Sequence, residues 1–254
     1  MPIVNITSLP HRLPGDDPPA GSLILSSGAD IWRIRVSSDA SQLKNFSTFL
    51  LVDELAKADR YHQEKDRRRF ITSRAALRII LAKYLPIQPR DIQFKPGTNK
   101  KPFVQNNGNI NLHYNISHSG EWILVAVGNY GIGVDVEKIN PDFHYEDIFP
   151  LSFSDAEIEI IRKSSSSRKD FYLYWTRKEA LTKATAKGLD HHLKDVPCLD
   201  GSHTVSSEIV PEVITSWMVS SFELDEQHIA SVAYRSPQMP PAVTEGILLK
   251  MWKM

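Results

Sequence analysis

Hydrophobic positions along the chain change period several times, and each change predicts an element. In IWRIRV, Trp32, Ile34 and Val36 alternate with Ile31, Arg33 and Arg35, a period of two expected of a strand. With the SLILSS run just before it, this predicts one or two strands within Ser22–Val36. From Phe46 to Tyr84 the pattern is helical: Phe70, Leu77, Leu81 and Tyr84 fall on one face, and Pro86 and Pro89 stop the run. HYNISHS and EWILVAV on either side of Gly120 predict a hairpin, and a turn at Gly128–Gly131 leads into a strand over Ile132–Val136. Further on come a helix over Ser154–Lys163, a polar SSSS loop and a longer helix over about Arg168–Lys187. Strands are then expected around Glu208–Ile214, Trp217–Phe222 and Ile229–Tyr234. The tail ILLKMWKM, after Pro237, Pro240 and Pro241, fits helix or strand equally well.

This is an α+β pattern. Residues 1–20 carry five prolines and read as an irregular lead-in. Asn140–Pro150 reads as a crossing linker, dividing an N-terminal α+β half (21–139) from a C-terminal one (140–254). Both halves place helical segments before strands, and the endings ILVAVG and IASVAY resemble each other loosely, which hints at an internal duplication.

Composition narrows the function classes. Of 254 residues, 41% are hydrophobic and 24% charged, ordinary for a chain that buries a core. Lys+Arg 30 against Asp+Glu 30 gives zero formal charge, which argues against nucleic acid as a partner. Cys198 is the one cysteine, so no internal disulfide can form and a reducing compartment, the cytoplasm, is expected. The most apolar stretch, Trp122–Val136, is broken by Gly128, Asn129, Gly131, Gly133 and Asp135. It falls short of the roughly 20 apolar residues of a membrane helix, so no membrane partner is expected.

Local chemistry changes the picture more. In GIGVDVEKI, Ile132, Val134 and Val136 alternate with Gly133, Asp135 and Glu137, so both carboxylates share one strand face with Cα atoms about 7 Å apart. Carboxylates so placed repel unless a cation lies between them, and all-oxygen ligation suits Mg²⁺ or Mn²⁺. An exposed strand face carries the same residues without any metal. The glycine between apolar residues is expected to let a ligand approach the backbone. On the later helix, Trp175, Glu179 and Lys183 recur at intervals of four, which serves a helix salt bridge or an anion held beside a metal. Lys57–Lys83 holds nine bases against three acids, which fits a solvated helix face or a phosphate site. Asn115–Ser119 can donate to phosphate oxygens, as can any polar turn. No G-x-S-x-G elbow accompanies Ser117-His118, and neither His113 with His118 nor His191-His192 has the spacing of zinc ligands.

Taken in order, Lys101-Pro102, Asn115–Ser119, Gly131–Glu137, Trp175–Lys183 and Lys187–Leu189 resemble the motifs of the Sfp-type 4′-phosphopantetheinyl transferases. The resemblance spans about half the chain. It implies a pseudo-twofold pair of similar α+β halves in a monomer, with the site at the interface between halves. It also implies Mg²⁺-dependent transfer of the phosphopantetheine arm of coenzyme A to a serine hydroxyl of an apo acyl or peptidyl carrier protein, releasing adenosine 3′,5′-bisphosphate. The alternative is a non-catalytic module that binds coenzyme A or a carrier. Carried over, Asp135, Glu137 and Glu179 would be metal ligands, and Lys57, Arg69, Lys101, Pro102, Ser117, His118 and Lys183 would contact coenzyme A. Glu179 and Lys183 would act in catalysis, and Glu157 would help deprotonate the attacking serine. Lys100 stands where the family has glycine, and Glu54 where it has a basic coenzyme contact. The Asn140–Lys163 region and the basic helical region are the expected carrier surface.

Overall fold

A computed structural model describes residues 1–8, 28–97, 101–105, 112–186, 193–210, 216–235 and 248–253. The first strand, β1 (Ile3–Ser8), falls inside the expected lead-in. Val4 and Ile6 are buried and alternate with more exposed neighbours, and residues 3–8 contain no proline to interrupt the strand. The IWRIRV alternation forms β2 (Gly28–Arg35), and Ser22–Ser27 lies outside the described residues. The helical stretch is three helices, α1 (Ala40–Ser47), α2 (Val52–Ala58) and α3 (Glu64–Tyr84). Asp39 caps the first by accepting from Ser41 N. A short hairpin, β3 (Gln93–Pro96) with β4 (Pro102–Gln105), comes next.

The predicted hairpin is β5 (His113–Ser119) and β6 (Trp122–Gly128), turned at Gly120, whose φ of 56° suits glycine. After it come β7 (Ile132–Lys138), α4 (Phe149–Ser152), α5 (Asp155–Lys163) and α6 (Ser167–Thr185). The crossing linker thus contains a helical turn at Tyr145–Ile148 and the start of α4. The last strands are β8 (Gly201–Thr204), β9 (Ser216–Asp225), β10 (His228–Arg235) and β11 (Leu248–Lys253). The strand expected around Glu208–Ile214 is a turn over Glu208–Val210, and 211–215 lies outside the described residues. Among the described residues no helix is long and apolar enough to cross a membrane.

Two sheets carry the fold, ordered β11-β2-β6-β5 and β7-β10-β9-β1-β8. Each contains a strand, its helices and a hairpin whose last strand pairs antiparallel with the first: β2 with β6, and β7 with β10. Strand β7 therefore belongs to the sheet of the later residues. The terminal strands cross over, β1 lying parallel to β9 and β11 parallel to β2. Alternation along the strands gives each sheet two apolar faces. Ile31, Leu124 and Ala126 of one sheet meet Ile132, Val134, Val136 and Val232 of the other in a shared core. The outer faces are covered by the long helices: Trp32, Ile34 and Val125 by α3, and Trp217, Val219 and Ala233 by α6.

Candidate active site

Strand β7 lies at the edge of its sheet, and its polar face meets the polar face of β5, the edge of the other sheet. The pattern that builds this contact is the period of two in HYNISHS. Tyr114 and Ile116 turn to the α3 core, so Asn115, Ser117 and Ser119 turn the other way. Asn115 Oδ1 accepts from Val134 N at 2.8 Å, and Ser119 Oγ accepts from Lys138 N at 2.9 Å. Side chains of β5 thus satisfy amide groups that an edge strand leaves open. The hydroxyls also donate to the carboxylates, Ser117 Oγ to Asp135 Oδ1 at 2.9 Å and Ser119 Oγ to Glu137 Oε2 at 2.9 Å.

Helix α6 closes the other side. A Cβ at Gly133 would stand 2.1 Å from Ala180 O and 2.4 Å from Ala184 N. The expectation that this glycine admits a ligand is therefore corrected: it admits the helix backbone. Close packing brings Glu179 and Lys183 over the carboxylates. Lys183 Nζ donates to Asp135 Oδ1 at 2.6 Å and stands 4.0 Å from Glu179 Oε2. Burial, and then the charge of Asp135, push the carboxyls of Glu137 and Glu179 up to about 7. Asp135 is 2% exposed, and its Oδ2 has no hydrogen-bond partner.

This donor set fits a hard divalent cation. Three carboxylates repel one another in a desolvated place, and one buried oxygen lacks the partner that buried acceptors normally have. Among the described residues, no three His, Cys, Asp or Glu side chains converge closely enough to hold an ion as they stand.

Other residues singled out from the sequence divide into two groups, those beside the carboxylates and those held elsewhere. Lys101 Nζ donates to Ile132 O and Lys183 O, each at 2.7 Å, tying the start of β7 to the last turn of α6, and burial pulls its ammonium down to about 8. Pro102 opens β4 beside it. His118 is exposed next to this group; burial of part of the ring and then the nearby Arg69 guanidinium lower its pKa, with Lys183 contributing. Arg69 itself pairs with Asp66 at 2.7 Å. Of these residues, Lys101 touches β7 and α6 directly, and His118 feels the charges of Arg69 and Lys183. Lys57 sits over the Phe70 ring at 5.3 Å, where α2 meets α3. Lys100, Lys187–Leu189, His191 and His192 lie outside the described residues.

Glu157 is placed elsewhere. Its Oε2 accepts from Ser154 N at 2.9 Å and pairs with the buried Lys178 at 2.9 Å, and its Oε1 accepts from Cys198 Sγ at 3.0 Å. The structure gives it a capping and packing task and does not bring it to Asp135. Most arginines of Lys57–Lys83 are paired within the fold. Arg67 pairs with Asp59, Arg68 with Glu64, Arg69 with Asp66, and Arg74 and Arg78 with Glu54. Glu54 is 5% exposed, and these two arginines, with the Leu51 amide, hold its carboxyl below the usual range against the effect of burial. Sequence reasoning passed over Asn115 and Ser119 as contacts of β7. The signal was available in their alternation with Tyr114 and Ile116.

Comparison with known proteins places the sequence in a family. The profile of the 4′-phosphopantetheinyl transferase superfamily matches residues 131–233, and that of the 4′-phosphopantetheinyl transferase N-terminal region matches 37–129. The 4′-phosphopantetheinyl transferase HetI of Nostoc sp. is 32% identical over 220 residues, covering 85% of this chain and 91% of that protein. The 4′-phosphopantetheinyl transferase Sfp of Bacillus subtilis is 27% identical over 219 residues, 84% and 96% of the two chains. A putative 4′-phosphopantetheinyl transferase of Synechocystis sp. is 33% identical over 162 residues, 63% and 66%. With the carboxylates, the lysine and the β5 motif falling inside the matched regions, the chain belongs to the 4′-phosphopantetheinyl transferase family.

Proposed function

We propose that this chain transfers the 4′-phosphopantetheine arm of coenzyme A to a serine hydroxyl of an apo acyl or peptidyl carrier protein and releases adenosine 3′,5′-bisphosphate. The observation that carries the reading is the meeting of Asp135, Glu137, Glu179 and Lys183 at the junction of β7 with α6. Serine Oγ bonds to the phosphorus that carries the pantetheine arm, and the bond from that phosphorus to the bridging oxygen breaks. The electron pair leaves on the bisphosphate, and the serine proton must be taken up. Asp135, Glu137 and Glu179 would hold Mg²⁺ or Mn²⁺. When bound, that ion neutralises pyrophosphate charge and lowers the pKa of coordinated water.

The chain's own groups supply the rest. Lys183 offers an ammonium beside the carboxylates, where a transferring phosphoryl group needs positive charge. Lys101 spends two donors on Ile132 O and Lys183 O, and an ammonium has a third for a phosphate oxygen. His118 and Arg69 border the same side and would receive the adenosine phosphates, with Ser117 beside them. Pro102 fixes the backbone next to Lys101, and Lys57 would contact the coenzyme from α2. Glu157 is left out of the proton path, because both of its oxygens are committed.

The repeated strand, helices and hairpin support a pseudo-twofold pair of halves that divide at the turn Asn129–Gly131 rather than at Asn140, since β7 pairs with β10, and the contact of β5 with β7 supports a site between them. One chain then holds a whole site and works as a monomer. The carrier would approach over Asn140–Lys163, where Phe143, Leu151 and Ile160 are exposed, and over the basic helices.

Intact-mass measurement of an apo carrier incubated with the chain, coenzyme A and Mg²⁺ tests this. A gain of one phosphopantetheine arm, lost with a chelator and with Asp135→Ala, is expected. No gain across several carriers, with coenzyme A still bound, would establish the non-catalytic binding module in its place.

A further inference from the structure

We infer that Ser119 is a positioning residue for the acidic strand, locking the Glu137 carboxylate to the backbone of β7 so that it is held ready for the ion. The inference rests on the metal reading above and adds a residue to it. One hydroxyl makes two bonds here: it accepts from Lys138 N at 2.9 Å and donates to Glu137 Oε2 at 2.9 Å. Those partners are adjacent in sequence, so the pair of bonds fixes the Glu137 side chain relative to its own strand. Glu137 needs such help, because it stands near the end of β7 and is only half-buried, while Asp135 two residues earlier is enclosed.

The energetics point the same way. A hydroxyl donating to a carboxylate stabilises the charged form that binds a cation. Removing it frees the carboxylate to rotate and leaves the Lys138 amide without that acceptor. Outer partners of this kind commonly alter metal affinity by about 10–100-fold. Asn115, four residues earlier on the same face, anchors Val134 N rather than a carboxylate, so it serves as the internal comparison.

The test measures Mn²⁺ affinity of the full chain, free of coenzyme A, by electron paramagnetic resonance, together with the KM for coenzyme A. Ser119→Ala is expected to weaken Mn²⁺ about tenfold, with the KM for coenzyme A unchanged within about twofold at saturating metal. Ser119→Thr, which restores the hydroxyl, is expected to recover the affinity; a purely space-filling role would be met by alanine nearly as well. In a Glu137→Gln background Ser119→Ala should weaken Mn²⁺ no further, because its effect runs through that carboxylate. Mn²⁺ affinity equal in Ser119→Ala and the unaltered chain overturns this inference and leaves the metal reading standing. An unaltered chain that binds no Mn²⁺ overturns the metal reading and this inference with it. Should Ser119→Ala not fold, Ser119→Cys, which keeps the size and offers only a weak S–H donor, carries the same comparison alone and in the Glu137→Gln background.

Discussion

The two large sheets, each with its helices, repeat one structural device, and the candidate carboxylates gather beside only one of the long helices. In the first, Glu54 near the start of α2 accepts from Leu51 N and pairs with Arg78, a buried base of the long helix α3. Arg78 then donates to Pro89 O and Ile92 O, around the short turn after that helix. In the second, Glu157 near the start of α5 accepts from Ser154 N and pairs with Lys178, a buried base of the long helix α6. Lys178 donates to Leu193 O and Val196 O, around the short turn beyond its own helix. The match is that of two copies of a helix keystone, and it gives each glutamate a task in packing the fold. The copies part at the sheet. Trp32, fully buried, fills the space between the first sheet and α3, whereas Gly133 lets α6 rest on β7 and leaves carboxylates as the packing partners. In the position after the keystone base, the first half has Ile79 and the second has Glu179. A site arises where a large apolar filler is replaced by glycine and the helix presents charge.

The sharpest way to break this comparison is to restore a side chain at Gly133. Gly133→Val would place atoms against the Ala180 and Ala184 backbone, which cannot yield as a flexible side chain does. We expect a loss of about 3 kcal/mol or more in stability. In whatever folds, transfer should fall about a hundredfold or more as Glu179 and Lys183 lift from Asp135. Thermal denaturation and intact-mass rates measure the two, and unchanged rates would show that close packing is not what gathers the site.

The keystones come next in size. Glu54→Gln and Glu157→Gln should each cost about 3 kcal/mol, since each leaves a buried base short of its carboxylate. The symmetry makes the prediction specific: the two losses should match within about 1 kcal/mol, and turnover of the folded fraction should stay within about twofold for both. A Glu157→Gln variant of normal stability and turnover reduced about a hundredfold or more would return this residue to the role of base.

Much of this was legible in the sequence because it rests on local periodicity. Alternation placed the β5–β6 hairpin, β7, β9 and β10, and helical spacing placed α5 and α6. The joint strand face of Asp135 and Glu137 came from the same rule, helical spacing put Glu179 and Lys183 on one stripe, and the family resemblance gave them their roles. What local pattern could not supply was pairing across the chain. Ile3–Ser8 has two buried alternating residues, too few to stand out beside five prolines, and it becomes a strand because β8 and β9 offer edges on both sides. The tail was ambiguous for the same reason, its strand being set by β2. The pairing of the arginine run could not be read locally, because its partners, Asp59, Glu64, Asp66 and Glu54, lie on neighbouring turns or on another helix. Gly133 announced close approach correctly and could not say that the approaching backbone was α6.

The smallest expected effect concerns the outer surface, where the halves also differ. In the first half the basic side chains of α3 are mostly neutralised by neighbouring acids, and in the second Arg162 lies over the Phe149 ring while Lys163 reaches Glu159 near the exposed Ile160. On α5, Arg162 is therefore the guanidinium that an acidic carrier helix would meet. Reversing both charges, Arg162→Glu with Lys163→Glu, should raise the KM for carrier about threefold to tenfold, the scale of one or two exposed ion pairs. kcat and the KM for coenzyme A should not move, because neither group touches the carboxylates. The effect should shrink as salt is raised, since charges on a wet surface are screened over about 10 Å at 0.1 M ionic strength. A carrier KM indifferent to both reversal and salt would move the docking surface off α5 and leave the first-half helices to provide it.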